Sequence, residues 1–156
     1  MARLKFSIPT SSVIALSAAT AKTILQARTP TNQAVAFRGF AVSFDGDTGS
    51  NKPVLVELCR YSSNGTMTSA AGIKDDPGRD ETIQTGAFKN ATLEPAPDTA
   101  IGNSGILRQW HVHPQTGYDR MFDDLEEIII PGGTRFGLRC TAPNAVNAVG
   151  QMNLEE

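Results

Sequence analysis

Two histidines, His111 and His113, stand two residues apart beside the chain's single tryptophan, Trp110. In an extended strand, positions i and i+2 leave the same face, about 6.6 Å apart at the α-carbons. Two imidazoles at that spacing can converge on one metal ion. The run Ile106 to His113 reads as a strand that breaks at Pro114 and turns through Gly117. It is expected to be a central strand and the most specified of the core, with Trp110 turned inward alongside Ile106 and Val112 and the histidines on the opposite face.

The spacing Gly105, five residues, His111, Val112, His113 resembles the opening of the first metal motif of the cupins, and Pro131-Gly132-Gly133 resembles the turn of their second motif. That resemblance implies a glutamate four or five positions after the paired histidines and a third histidine on a later strand. Here Pro114 to Tyr118 supply no glutamate, and Phe136 stands where the last histidine belongs. The likeness is therefore to cupin architecture, a jelly-roll barrel. No metal or other cofactor is expected, with His111 and His113 the residues that would bind one.

Other groups are weaker chemically. Asp45-Gly46-Asp47-Thr48-Gly49 spaces carboxylates as calcium loops do, but lacks the distal bidentate glutamate and reads as a plain loop. Asp123-Asp124 and Glu126-Glu127 have the residue types for acid/base work, yet no base or nucleophile accompanies them in sequence, so a solvated face is expected. Cys59 and Cys140 fall within strands without a Cys-x-x-Cys neighbour and are expected to be buried free thiols. No Gly-x-Ser-x-Gly elbow and no glycine-rich loop before a helix occurs, so no catalytic residue is assigned.

The elements around these residues follow from composition and punctuation. The chain has 156 residues, which suits one domain, and a net charge of −2 without a basic patch. Nucleic acid is not expected as a partner, and neither is a membrane: no apolar run approaches the ~20 residues of a spanning helix. No secretory leader is read, so folding in a cytosol is expected. Short runs rich in Val, Ile and Thr alternate with Gly and Pro. Residues 1–12 read as an N-terminal arm or edge strand stopped by Pro9, and residues 13–156 as a single β-sandwich. Strands are preferred over a helix across Ser12–Gln26. Gln33–Phe44 is a strand in which Gly39 marks a bulge that sends Val35 and Phe37 to one face and Phe40, Val42 and Phe44 to the other. Asn64-Gly65 is the strongest hairpin signal. Further strands are read at Val54–Tyr61, Thr82–Lys89, Glu127–Ile130, Thr134–Thr141 and Val146–Leu154, and a surface loop at Leu93–Ser104. The result is an all-β, antiparallel sandwich or jelly roll of about eight strands.

Several stretches carry a wider likeness. Ala-Thr-Ala-Lys-Thr-Ile-Leu-Gln (19–26), Ala-Val-Ser-Phe-Asp-Gly (41–46), Pro-Val-Leu-Val-Glu-Leu (53–58), Asn-Gly-Thr-Met (64–67), His-Pro-Gln-Thr-Gly-Tyr (113–118) and Arg-Cys-Thr-Ala-Pro (139–143) occur in this order. Together they resemble the head decoration, or cement, proteins of tailed bacteriophages. The resemblance implies jelly-roll subunits, usually trimers, made in the host cytoplasm. It implies that they sit on the outside of the virion shell and clamp neighbouring major capsid protein subunits. Arg3, Lys5 and Phe6 are the expected docking residues. Two alternatives stand beside this: a cupin-like metal protein using His111 and His113, and a carbohydrate-binding sandwich that stacks sugar on Trp110 or a tyrosine.

Overall fold

The computed structural model describes residues 3–46 and 52–156, and the chain over them is a β-sandwich of two antiparallel sheets. The strands are β1 (Lys5–Pro9), β2 (Ile14–Leu16), β3 (Ala21–Arg28), β4 (Val35–Phe44), β5 (Val54–Tyr61), β6 (Thr66–Ser69), β7 (Ile73–Lys74) and β8 (Gly86–Leu93). Then follow β9 (Ile106–Val112), β10 (Gly117–Met121), β11 (Ile128–Ile130), β12 (Arg135–Thr141) and β13 (Val146–Glu155). The first sheet runs β10-β4-β13-β1-β7, with β11 extending the β4 edge and β2 pairing with the start of β13. The second runs β6-β8-β3-β12-β5-β9.

The pairing is nested. β1 pairs with β13, β3 with β12, β4 with β10 and β11, and β5 with β9. Early strands thus pair with late ones while the chain crosses repeatedly between the two sheets. The excursion β6–β8 is inserted between β5 and β9. It adds β8 and β6 beside β3 in one sheet, and β7 beside β1 in the other. One lateral side of the sandwich is therefore closed by the chain's own inserted strands. The opposite side, where β9 faces β10 and β11, is left open.

Alternation of apolar and polar residues explains which faces meet. Phe6 and Ile8 of β1, Val54, Val56 and Leu58 of β5, and Phe136, Leu138 and Cys140 of β12 all join one core, each at most 1% exposed. Phe37 lies at its centre, with ring centroids 5.2 Å from Phe136, 5.7 Å from Phe122 and 6.4 Å from Phe40. The bulge in β4 has a different consequence from the one expected. Phe37 pairs with Leu154 and Gly39 with Asn153, leaving Arg38 as the extra residue. This shift resets the alternation, so Val35, Phe37, Phe40 and Val42 all face the core. A side chain at Gly39 would collide with the Arg120 carbonyl and with Met121, so the close approach of β10 requires glycine there.

Four further expectations change. Lys5–Pro9 is neither an arm nor a free edge: it pairs with β13 throughout and with β7 at Phe6 and Ser7. Asn64-Gly65 joins no hairpin. Gly65 has φ +63° but Asn64 stays out of the left-handed region, and β6 pairs with β8 rather than with β5. The strand expected at Thr82–Lys89 begins at Gly86 and runs on to Leu93. Within the expected surface loop 93–104, Pro97 bridges Tyr61, and 3-10 turns form at Thr99–Ile101 and Asn103–Gly105.

Candidate functional site

Among the described residues, the Ile106–Val112 strand is the edge of its sheet, paired with β5 alone. Val112 is buried and Trp110 is half-buried, its ring 4.8 Å from that of Phe40 and 6.1 Å from that of Tyr118. Its edge position corrects the expectation of a central strand. His111 is exposed, and His113 lies just past the strand end, where its Nδ1 accepts from the Gln115 backbone N–H at 3.2 Å. No cluster of three or more His, Cys, Asp or Glu side chains suited to a metal occurs among the described residues. Asp45 uses both carboxylate oxygens on Asn147, accepting from its backbone and side-chain N–H groups at 2.7 Å each, and these bonds hold its carboxyl below the usual range. Asp47, the second acid of that loop, lies outside the described residues.

The acidic run 123–127 is accompanied by arginines after all, Arg38 from the distant β4 and Arg120 from the adjacent β10. Arg38, the residue displaced by the β4 bulge, reaches Glu127 at 2.6 Å, Asp124 at 2.8 Å and Glu155 at 3.1 Å. Arg120 pairs with Glu126 at 2.6 Å and lies over the Phe122 ring. Asp123 Oδ1 accepts from the backbone N–H groups of Leu125 and Glu126, closing a tight turn. These acids are structural ties for the 122–127 loop rather than a proton-transfer pair.

Of the expected docking residues, Phe6 is 1% exposed and packs in the core, because the alternation of β1 turns it inward. Lys5 is exposed beside it, and Arg3 lies 3.8 Å from both Glu127 and Glu155.

The two outer faces of the sandwich differ. On the second sheet, Thr23, Gln26, Glu57, Cys59 and Tyr61 point away from the core yet are all buried. The segment after β8 crosses them: Glu94 accepts from the Thr23 N–H at 2.8 Å and hydroxyl at 2.6 Å, and Asp98 pairs with Arg60 at 3.3 Å. Beneath it, Arg139 Nε donates to Glu57 Oε2 at 2.8 Å. Both cysteines are buried free thiols. Burial pushes the Cys59 thiol up to about 11, with Arg139 opposing and Glu57 adding to the shift, and burial raises Cys140 further. Neither thiol is poised as a nucleophile. Native protein at pH 8 should resist thiol reagents, and two thiols per chain should titrate once denaturant opens the core; rapid labelling of the native state would contradict this burial. The sign follows from the raised value. Cys59 contributes stability in full below its unfolded value near pH 9, and that contribution is lost as pH rises toward 11.

Among the described residues, no segment crosses the outer face of the first sheet as 93–98 crosses the second. Ala41, Ser43 and Gly117 floor a groove of about 670 Å³ there, walled by the Pro9–Val13 corner and by Val149 and Gln151. Val13 is 61% exposed and Val149 45%. A second groove, about 580 Å³, lies along the open lateral side, with Trp110, Phe122 and Leu107 among its lining and Arg108 at its edge.

No family model, curated protein or solved structure matches this chain.

The grooves are what sequence reasoning missed. The small residues Ala41 and Ser43 alternate along β4, and Gly117, far along the chain, joins them only through the pairing of β10 with β4. Their smallness at outward strand positions is the one local trace they leave.

Proposed function

We propose that this chain is a structural subunit that decorates and stabilises the outside of a bacteriophage head by binding major capsid protein subunits, as a homotrimer and without nucleic acid, membrane or cofactor. The sequence likeness to decoration proteins brings the shell into the reading. One observation carries the binding mode: the 93–98 segment covers the outer face of one sheet, while among the described residues no segment crosses the other face, which holds an apolar groove and exposed Val13 and Val149. A contiguous apolar patch on an otherwise polar surface is the usual mark of a docking site. Docking would act by mass action, favouring the assembled shell in proportion to the occupancy of its sites. Repetition over a symmetric shell makes individually modest contacts effective together.

Val149→Asp tests the face. It should weaken co-sedimentation with expanded shells at least about tenfold while moving the unfolding free energy by less than about 0.5 kcal/mol, because the side chain is half-exposed. Unchanged binding in a folded Val149→Asp protein would remove this face from the reading.

A further inference from the structure

The open lateral side of the sandwich carries both a projection and a recess. Leu125 is 96% exposed, at the tip of a turn that is otherwise tied down. Asp123 closes that turn through two backbone N–H groups, Arg38 holds Asp124 and Glu127, and Arg120 holds Glu126. The leucine is therefore presented by a pre-ordered support, and little conformational freedom remains to be lost when it is buried. Leu125 itself forms part of the rim of the groove floored by Trp110, Phe122 and Leu107, which lies between the edge strand β9 and the β10–β11 edge and is bordered by Arg108, Arg120, Glu126 and Glu127. Trp110 is half-buried there, and Ile129 on the rim is 51% exposed.

Charge supplies the second argument. Among the charged groups of the turn and the groove lining, Asp124, Glu126, Glu127 and Arg120 are already paired within the chain. Two charged groups here enter no ion pair among the described residues. One is Asp123 on the projecting turn. The other is Arg108 on the groove edge, whose Nη1 donates only to the neighbouring Leu107 carbonyl at 3.1 Å. They have opposite signs, and one lies on the knob while the other lies on the recess.

We infer that this side is the contact between two copies of the chain, in which Leu125 of one copy enters the Leu107–Trp110–Phe122 groove of a second and Asp123 meets Arg108. The inference rests on the self-association part of the reading above, and it names the surface that would carry it. The leucine of each copy enters the groove of the next, a head-to-tail contact of the kind that closes into a ring, as a homotrimer requires. The contact also covers the unpaired edge of β9, which would otherwise be open to indiscriminate strand pairing.

The test needs only the isolated protein, so its failure is distinct from a failure to bind shells. Sedimentation velocity across a dilution series should show an oligomer that dissociates to monomer. Trp110 is the only tryptophan, so its emission should shift to shorter wavelength over the same range of rising concentration. Leu125→Asp and, separately, Arg108→Glu should each raise the dissociation constant at least about tenfold and abolish the emission shift, with unchanged circular dichroism. Both positions are exposed, so neither change should disturb the fold. A wild-type chain that stays monomeric to near-millimolar concentration overturns the inference. So does an oligomer indifferent to both substitutions.

Discussion

Arg139→Ala should cost the fold about 3–5 kcal/mol, read as a drop in the denaturation midpoint. Arg139 on β12 pairs in register with Glu57 on β5, and its Nε donates to that carboxylate at 2.8 Å. Glu57 is 4% exposed, and Cys59 and Tyr61 on the same face are buried with it. Removing the guanidinium leaves a nearly buried carboxylate with no counter-charge, which is the expensive way to break an ion pair. The double change Glu57→Gln with Arg139→Met should lose much less, since it removes both charges and keeps the volume. If the single and double variants were equally destabilised, lost packing would explain the effect and the buried pair would not.

Gly137→Val should yield no folded protein at all, with a destabilisation of about 4 kcal/mol or more. Gly137 sits mid-strand in β12, between Gln26 of β3 and Cys59 of β5. A Cβ there would run into the Leu25 carbonyl oxygen and lie 2.9 Å from the Gln26 Cα. These are backbone atoms of a fully paired strand, so no side-chain rotation relieves the clash. The only relief is to separate β3 from β12, which is the centre of the second sheet. Gly137→Ala places the same Cβ and should fail nearly as badly. Recovery of a folded Gly137→Ala protein of native stability would mean that β3 and β12 lie farther apart than this register requires.

The fold class was legible because it depends on local pattern. Phe6-Ser7-Ile8 and Val54-Leu55-Val56 alternate as half-buried strands must, and Pro and Gly punctuate them. Strand order was not legible, since it is settled by pairings between residues more than a hundred positions apart, such as Phe6 with Leu154. That is why β9 was placed at the centre. Its polar residues, Arg108, Gln109 and His111, are the trace of an edge. β10 escaped notice because its inward positions are Tyr118 and Arg120, which break the apolar alternation. Asn64-Gly65 misled for the converse reason: the turn chemistry is real, but tertiary pairing sends β6 to β8.

The site was less legible still. His111 and His113 drew attention through residue type, and the structure leaves them exposed at a strand end. The acidic run 123–127 read as a solvated face because Arg38, which ties Asp124 and Glu127, arrives by strand pairing from far along the chain; Arg120, only six residues before Glu126, was the partner within reach of a sequence reading. The outer face of the first sheet has no motif. Among the described residues it is defined by what does not cover it, and only the three-dimensional course of residues 93–98 across the other sheet makes the contrast visible.

Imaging of expanded phage shells incubated with the protein, by single-particle electron microscopy, bears most directly on the proposed role. The account predicts added density on the shell exterior into which the sandwich fits with Val13, Ala41 and Val149 against capsid subunits. Shells that remain bare at saturating protein, or density with this face turned to solvent, would contradict it.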